Sequence, residues 1–191
     1  MKRILIVDDE SIVRMDLAAM LEEQGYDVVG EAGNGEEAIE RAIRLVPDLI
    51  MMDIKMPVMD GLKASTILSK KLDVPILLLT AYSQQTFVER AKVRTITGYL
   101  VKPIAESQLI PAVEMALHQG EIQRSLIEES ASANRKLHER KQIEQAKGIL
   151  MKHSGCSEED AYAKMRRISM EKQVPLVKVA HHVLKKADRD K

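Results

Sequence analysis

Tryptophan is absent from this sequence, and phenylalanine and cysteine each occur once among its 191 residues. With only 3% aromatic residues, the core must consist of aliphatic side chains and methionines. The single cysteine, Cys156, excludes an internal disulfide and a cysteine-cluster metal site, and we assign it no function. No apolar run approaches the roughly 20 residues of a membrane-spanning helix, and the start MKRILIVDDE turns acidic too early for a signal peptide. These absences predict a cytoplasmic protein without a membrane partner.

The net charge is zero, but the two ends of the chain differ in charge. Residues 1–134 hold 14 Lys and Arg against 21 Asp and Glu, a net charge of −7, whereas residues 135–191 hold 15 against 8, a net charge of +7. Because domains typically have about 100 to 150 residues, the length suggests one domain and a smaller module. A basic module beside an acidic one suggests a polyanionic partner, although a solvated charged face gives the same excess.

The first 103 residues alternate short apolar runs with amphipathic helical stretches. This alternation predicts parallel strands joined by crossover helices, and hence a five-stranded, doubly wound α/β sheet. The predicted strands cover residues 4–7, 27–30, 48–52, 75–79 and 98–101. Helical patterns fill the gaps between them.

Reactive side chains follow four of the predicted strands, where ligands of such sheets bind. They are Asp8 and Asp9 after the first strand, Asp53 after the third, Thr80 after the fourth and Lys102 after the fifth. Three carboxylates at one edge repel one another, and a hard divalent cation such as Mg²⁺ relieves that repulsion. Asp53 then acts as a carboxylate nucleophile for a phosphoryl group, whose oxygens the cation and Lys102 neutralise and to which Thr80 donates its hydroxyl. The Asp8–Asp9 pair alone is also compatible with simple helix capping.

After Pro103 the sequence pattern is almost wholly helical. A long helix is predicted from Glu106 to about His153, with Pro111 in its first turn, where proline is tolerated. The middle of this helix, residues 121–141, carries sparse apolar residues at roughly coiled-coil spacing. We interpret it as an extended connector with the capacity to dimerise.

Two shorter helices are predicted near the carboxyl end. Gly155 ends the long helix, and Ser157 with Asp160 resembles a capping box that opens a helix through about residue 172. Pro175 breaks the chain before a last helix over residues 176–186. The apolar faces of the three helices can pack together through Ile143, Ala146, Ile149, Leu150, Ala161, Met165, Ile168, Leu176, Ala180, Val183 and Leu184.

Four strings near the amino end resemble the receiver domain of bacterial response regulators: LIVDDE, MMDIKMPVMDGL, LLLTAYS and GYLVKP. The resemblance implies a flavodoxin-like fold over residues 1–120 and phosphorylation of Asp53 by a sensor histidine kinase. It also implies that Asp9, Asp53 and the backbone carbonyl of Lys55 bind Mg²⁺, with Asp8 acting through a water. A protein that accepts this phosphoryl group, with at most slow autodephosphorylation, is not expected to be an enzyme.

The same resemblance assigns roles to residues around the pocket. Tyr99 matches the family's switch aromatic, which turns inward as Thr80 closes on the phosphate. Lys55 and Tyr82 lie beside the pocket, at positions where the family tunes the lifetime of the phosphate. The chain departs from the family before the fifth strand, because residues 94–97 read Arg-Thr-Ile-Thr where a glycine is usual.

The basic tail taken alone is a small helical domain with several conceivable partners. A DNA-binding helix-turn-helix needs a short glycine-containing turn and an exposed recognition helix, and neither stands out. The strings RKQIEQAKGILM, SEEDAYAKMRRISM and VAHHVL resemble the ANTAR domain, a three-helix RNA-binding output module. The resemblance spans about residues 137–185.

This second resemblance implies a transcription antiterminator with three segments: a receiver at 1–120, a helical linker at 121–136 and an ANTAR domain at 137–187. Such a protein binds paired RNA hairpins in nascent messenger RNA and prevents an overlapping terminator from forming. Phosphorylation is expected to favour the homodimer that engages two hairpins. Candidate RNA contacts are cations that can pair with phosphates, a glycine that permits close approach and one aromatic residue: Arg140, Lys147, Gly148, Lys152, Tyr162, Arg166 and Arg167.

Two other classes of function stay open at this point. One is a DNA-binding transcription regulator, which the lack of a helix-turn-helix pattern disfavours. The other is a response regulator whose tail docks on a protein, and the net charge of +7 in the tail argues weakly against it.

Overall fold

The computed structural model describes residues 1–81, 93 and 95–189, and the chain divides into two compact units, residues 1–125 and 126–191. The first unit contains β1 (Arg3–Val7), α1 (Ser11–Glu23), β2 (Asp27–Ala32), α2 (Gly35–Leu45), β3 (Leu49–Asp53), α3 (Gly61–Leu68), β4 (Ile76–Thr80) and β5 (Ile96–Val101). The long helix α4 (Glu106–Ser154) follows, and then α5 (Glu158–Glu171) and α6 (Leu176–Arg189). In the part of the chain that the structure describes, no helix is long and apolar enough to cross a membrane.

The five strands form one parallel sheet in the order β2-β1-β3-β4-β5. Consecutive side chains of a strand point to opposite faces of the sheet. In β1, Ile4 and Ile6 therefore pack with α1 and the beginning of α4, whereas Leu5 and Val7 pack with α2 and α3. The predicted doubly wound sheet is confirmed, and its order changes direction at β1 and β3, where ligand crevices form.

Several strand ends differ from the prediction. Asp53 and Thr80 are the last residues of β3 and β4, where the sequence placed them just after the strands. β5 begins at Ile96, because that residue pairs with Ile76 of β4, so residues 96–97 belong to the strand and not to the loop expected there. The helix expected between β4 and β5 falls mostly outside the described residues, as do Tyr82 and Arg94.

The placement of Pro111 in a first helical turn is wrong. Because α4 begins at Glu106, Pro111 is its sixth residue and removes one helical hydrogen bond, the one that the carbonyl of Ser107 would accept. Both residues are exposed, so water can satisfy that carbonyl. Gly120, in the same helix, is buried against Pro75, from which an added Cβ would lie 2.7 Å away.

The carboxyl-terminal unit is built from the end of α4 together with α5 and α6. Gly155, with a φ of +61°, ends α4, and the Ser157 hydroxyl accepts a hydrogen bond from the Asp160 amide at 3.1 Å, which caps α5 as predicted. The predicted three-helix packing is confirmed, with Ala146, Met165, Val179 and Ala180 at its centre. Around them pack Ile143, Leu150, Ile168, Val174, Leu176, Val183 and Leu184.

Candidate functional site

Three carboxylates gather at the carboxyl edge of the sheet. Asp8 directly follows β1 and is fully buried, whereas Asp9 is exposed. Asp53 ends β3 and is only 7% exposed. One ligand oxygen from each of the three residues lies within 4.8 Å of the others. The sequence therefore identified a real cluster, since strand order alone brings these side chains to one edge.

Lys102 supplies the positive charge inside this cluster. Its Nζ lies 2.6 Å from Asp8 Oδ2 and 3.0 Å from Asp53 Oδ2. Although burial alone would lower the pKa of Lys102, its hydrogen bonds to the two carboxylates outweigh burial and raise that pKa. Burial raises the pKa of Asp53, and the hydrogen bond from Lys102 offsets this rise only in part. Among the residues that the structure describes, the pocket thus holds the Lys102 ammonium against three carboxylates, and it favours further cationic charge.

Thr80, the last residue of β4, also lies at the carboxyl edge of the sheet. Its backbone is hydrogen-bonded to Lys102, which directly follows β5. Thr80 is only 5% exposed, and its carbonyl accepts a hydrogen bond of 2.8 Å from the Lys102 amide. Lys55 lies on the other side, where it lines a cleft of about 710 Å³ together with Asp9 and Ile54. Tyr99, in β5, is 43% exposed. The switch role of Tyr99 and the carbonyl ligand from Lys55 stay predictions.

Two residues that support the pocket were missed by sequence reasoning. Arg14 of α1 donates from Nη1 to the Asp8 carbonyl at 2.7 Å and from Nε to Glu31 at 2.8 Å, which fixes the turn after β1. At Gly61 a Cβ would collide with the Asp53 carbonyl, so that no other residue fits without a shift of the backbone. The string MDGL contains the signal for Gly61. For Arg14 the sequence offers only its place one turn into a helix.

The residues present fit a hard divalent cation. Asp8, Asp9 and Asp53 offer only carboxylate oxygens, the ligands that Mg²⁺ prefers. One carboxylate oxygen of Asp53 accepts a hydrogen bond of 2.7 Å from the Ile54 amide. Asp8 similarly accepts from the Glu10 amide at 3.0 Å. Both carboxylates are thus held in fixed orientations by backbone donors.

The basic helical unit presents most of its candidate cations to solvent. Arg140, Lys152, Arg166 and Arg167 are exposed, and Arg167 lies 3.8 Å from Glu171. These four side chains are available to a polyanion, and their RNA contacts stay predictions.

The AKG string of α4 differs from these exposed cations. Lys147 is buried, with its Nζ 2.8 Å from Glu144 and 2.7 Å from Glu158. The same Nζ lies 6.0 Å from the ring centroid of Tyr162, which is 39% exposed. Gly148 is half-buried, yet a Cβ added there would meet no atom within 4 Å. Packing within the described chain therefore does not explain this glycine.

A doubly wound sheet with this acidic edge, followed by a basic three-helix unit, defines a two-module regulator of the receiver type. Family models agree: the response regulator receiver domain matches residues 4–114, and the ANTAR domain matches residues 131–184. Among curated relatives, the transcriptional regulatory protein PdtaR of Mycobacterium tuberculosis H37Rv is 44% identical over 183 residues, 96% of this chain and 89% of the relative. The transcriptional regulatory protein LnrK of Bacillus subtilis is 34% identical and covers 78% of this chain and 66% of its own length.

Solved structures match the first unit. The receiver domain of a modulated diguanylate cyclase from Desulfovibrio desulfuricans G20 is 34% identical, covers 64% of this chain and 98% of its own, and has a TM-score of 0.59. The chain therefore belongs to the response regulators, with an amino-terminal receiver domain and a carboxyl-terminal, RNA-binding ANTAR domain.

Proposed function

We propose that this protein is activated by phosphorylation of Asp53, binds paired hairpins in nascent messenger RNA and prevents transcription termination. The observation that carries the proposal is the pairing, in one chain, of an acidic pocket around Asp53 and Lys102 with a basic ANTAR unit. We further propose a receiver over residues 1–120, a helical linker over 121–136 and the RNA-binding domain over 137–187.

The proposed chemistry begins with Asp53 as nucleophile. A carboxylate oxygen of Asp53 forms a bond to phosphorus as the bond from phosphorus to the kinase histidine nitrogen breaks. Asp9, Asp53 and the Lys55 carbonyl would hold Mg²⁺, with Asp8 acting through a water. When bound, this cation supplies charge neutralisation to the phosphoryl oxygens. Lys102, already 3.0 Å from Asp53, turns its ammonium toward the same oxygens, and Thr80 donates its hydroxyl to them.

The proposed output is RNA binding by two chains. The phosphorylated receiver closes Thr80 on the phosphate, Tyr99 turns inward from its exposed position, and the altered surface favours a homodimer. Two basic units then contact two hairpins, largely through phosphates. A terminator that overlaps the bound hairpins cannot form. The sequence of the RNA loops sets which transcripts respond.

The experiment combines phosphate transfer with nucleic-acid binding. Full-length protein and Asp53→Asn are incubated with a labelled phosphodonor, then titrated with a pool of two-hairpin RNAs with randomised loops and with duplex DNA over a salt series. We expect label on the wild type alone and a steep salt dependence with RNA that phosphorylation enhances. Label on Asp53→Asn would refute the acceptor, and equal affinity for DNA, or binding to neither, would refute the RNA output.

A further inference from the structure

The buried ammonium of Lys147 is already neutralised within the ANTAR unit. Glu144 lies one helical turn before it at 2.8 Å, and Glu158, from the first turn of α5, approaches at 2.7 Å. The lysine side chain is 10% exposed, whereas the glutamate side chains are 54% and 64% exposed. One positive and two negative charges leave this cluster with a net charge of −1, although it lies in a unit that is otherwise basic.

This arrangement conflicts with a simple phosphate contact. An RNA phosphate that approaches Lys147 meets two carboxylates first, and all three anions compete for one ammonium. Yet the surroundings are open, because Gly148 has no atom near its missing Cβ and the two glutamates can rotate into solvent. The hydrogen bonds with Glu144 and Glu158 raise the pKa of Lys147, so the lysine is charged while these ion pairs are closed.

We propose that Glu144 and Glu158 restrain Lys147, so that it contacts an RNA phosphate only after these ion pairs open. The two glutamates thereby lower the affinity for RNA and penalise RNAs that cannot place a phosphate at this point. The inference rests on the proposed RNA-binding function and deepens it, because it names residues that set affinity without contacting RNA themselves.

The test compares full-length wild type with the double variant Glu144→Gln/Glu158→Gln, using two-hairpin RNAs selected separately with each protein from the randomised pool. We expect the double variant to bind severalfold more tightly at about 0.15 M salt, and its salt slope to steepen by about 0.7 to 0.9, the effect of one added phosphate contact. Glu159→Gln is the matched control for the Glu158 substitution, since it removes one negative charge from the same helical turn but does not pair with Lys147. It should leave the slope unchanged.

A double-mutant cycle with Lys147→Gln separates restraint from simple charge repulsion. If the glutamates act through Lys147, their removal in the Lys147→Gln background gives no steepening of the slope. Circular dichroism of each variant, with Lys147→Arg as a charge-preserving variant, reports whether the helices survive. Unchanged affinity and slope in a folded Glu144→Gln/Glu158→Gln variant would overturn the inference while leaving RNA binding by the wild type intact. If neither the wild type nor the double variant retains any RNA, the proposed function fails and this inference fails with it.

Discussion

Asp53 carries a charge that the fold stabilises only in part. It is nearly buried, shares the ammonium of Lys102 with Asp8, and has a raised pKa because of burial. A carboxyl whose pKa is higher in the folded than in the unfolded chain takes up its proton first in the folded state. The ionised form therefore lowers stability above the raised pKa, and stability recovers as the pH falls from there toward the ordinary value of 3.8.

Asp53→Asn is accordingly expected to raise the melting temperature at pH 7 in the absence of divalent cations. A gain on the order of 1 kcal/mol corresponds to about 4 °C for a unit of 125 residues. The gain should shrink as the pH falls toward 4, and added Mg²⁺ should stabilise the wild type more than the variant. Thermal unfolding followed by circular dichroism measures both effects.

Asp60→Asn provides a control with the opposite sign. Partial burial acts to raise the pKa of Asp60, but the hydrogen bonds from Lys63 outweigh it and lower that pKa. Its ionised form thus stabilises the fold at neutral pH, and this stabilisation is lost as the pH falls through the lowered pKa. Asp60→Asn should give no gain at pH 7. An equal gain in melting temperature in both variants would contradict the conclusion that the ionised Asp53 side chain lowers the stability of the fold.

At the scale of elements, two glycines in the same helix have opposite explanations. Gly120 of α4 is required by packing, because an added Cβ would lie 2.7, 3.0 and 3.1 Å from three atoms of the Pro75 ring. Gly148 has open space around it and costs the helix about 1 kcal/mol relative to alanine. A residue that costs stability without a packing reason is compatible with the proposed close approach of RNA.

Gly120→Ala and Gly148→Ala are therefore expected to act in opposite directions. The first should destabilise the receiver, whereas the second should stabilise the carboxyl-terminal unit by about 1 kcal/mol while weakening RNA binding. Hydrogen exchange of amides in each unit measures local stability, and RNA titration measures the second effect. Gly148→Ala with full RNA affinity would remove this glycine from the candidate contacts.

The sequence predicted those features that depend on local pattern. The five strands, the cap at Ser157 and the cluster of Asp8, Asp9 and Asp53 follow from apolar periodicity and from residues at strand ends. The start of β5 at Ile96 was not predicted, because pairing with β4 extends the strand beyond its apolar run.

The sequence pattern did not predict the side-chain contacts that join one element to another. Arg14 reaches the Asp8 carbonyl only because the turn after β1 brings the first turn of α1 close to it, and Lys147 meets Glu158 only because α5 packs on α4. The charge of Lys147 suggested a side chain available to contact an RNA phosphate. In the fold, its ammonium instead forms ion pairs with the carboxylates of Glu144 and Glu158. Positions 11 residues apart cannot be recognised as partners without the turn that joins the helices.

At the scale of the whole molecule, α4 carries five exposed large apolar side chains outside the described cores: Met115, Ile122, Leu126, Leu137 and Met151, which are 63%, 48%, 60%, 53% and 37% exposed. An α-helix with 3.6 residues per turn places these positions within about 60° of one another. Such a stripe is the sequence feature by which two helices pair, and α4 joins the segments matched as receiver and ANTAR domains.

We therefore expect phosphorylation to drive pairing through this stripe. Sedimentation velocity should show a monomer that shifts to a dimer when beryllofluoride and Mg²⁺ mimic the phosphorylated state, and Leu126→Glu/Leu137→Glu should stay monomeric because paired helices cannot bury the new carboxylates. Phosphate uptake at Asp53 should be unchanged in that variant, and its RNA affinity should fall because a monomer engages one hairpin instead of two. Met170→Glu, which alters an exposed methionine of α5, is the matched control and should dimerise normally. A dimer of undiminished strength in the double variant would mean that the receiver surface pairs the two chains without the stripe.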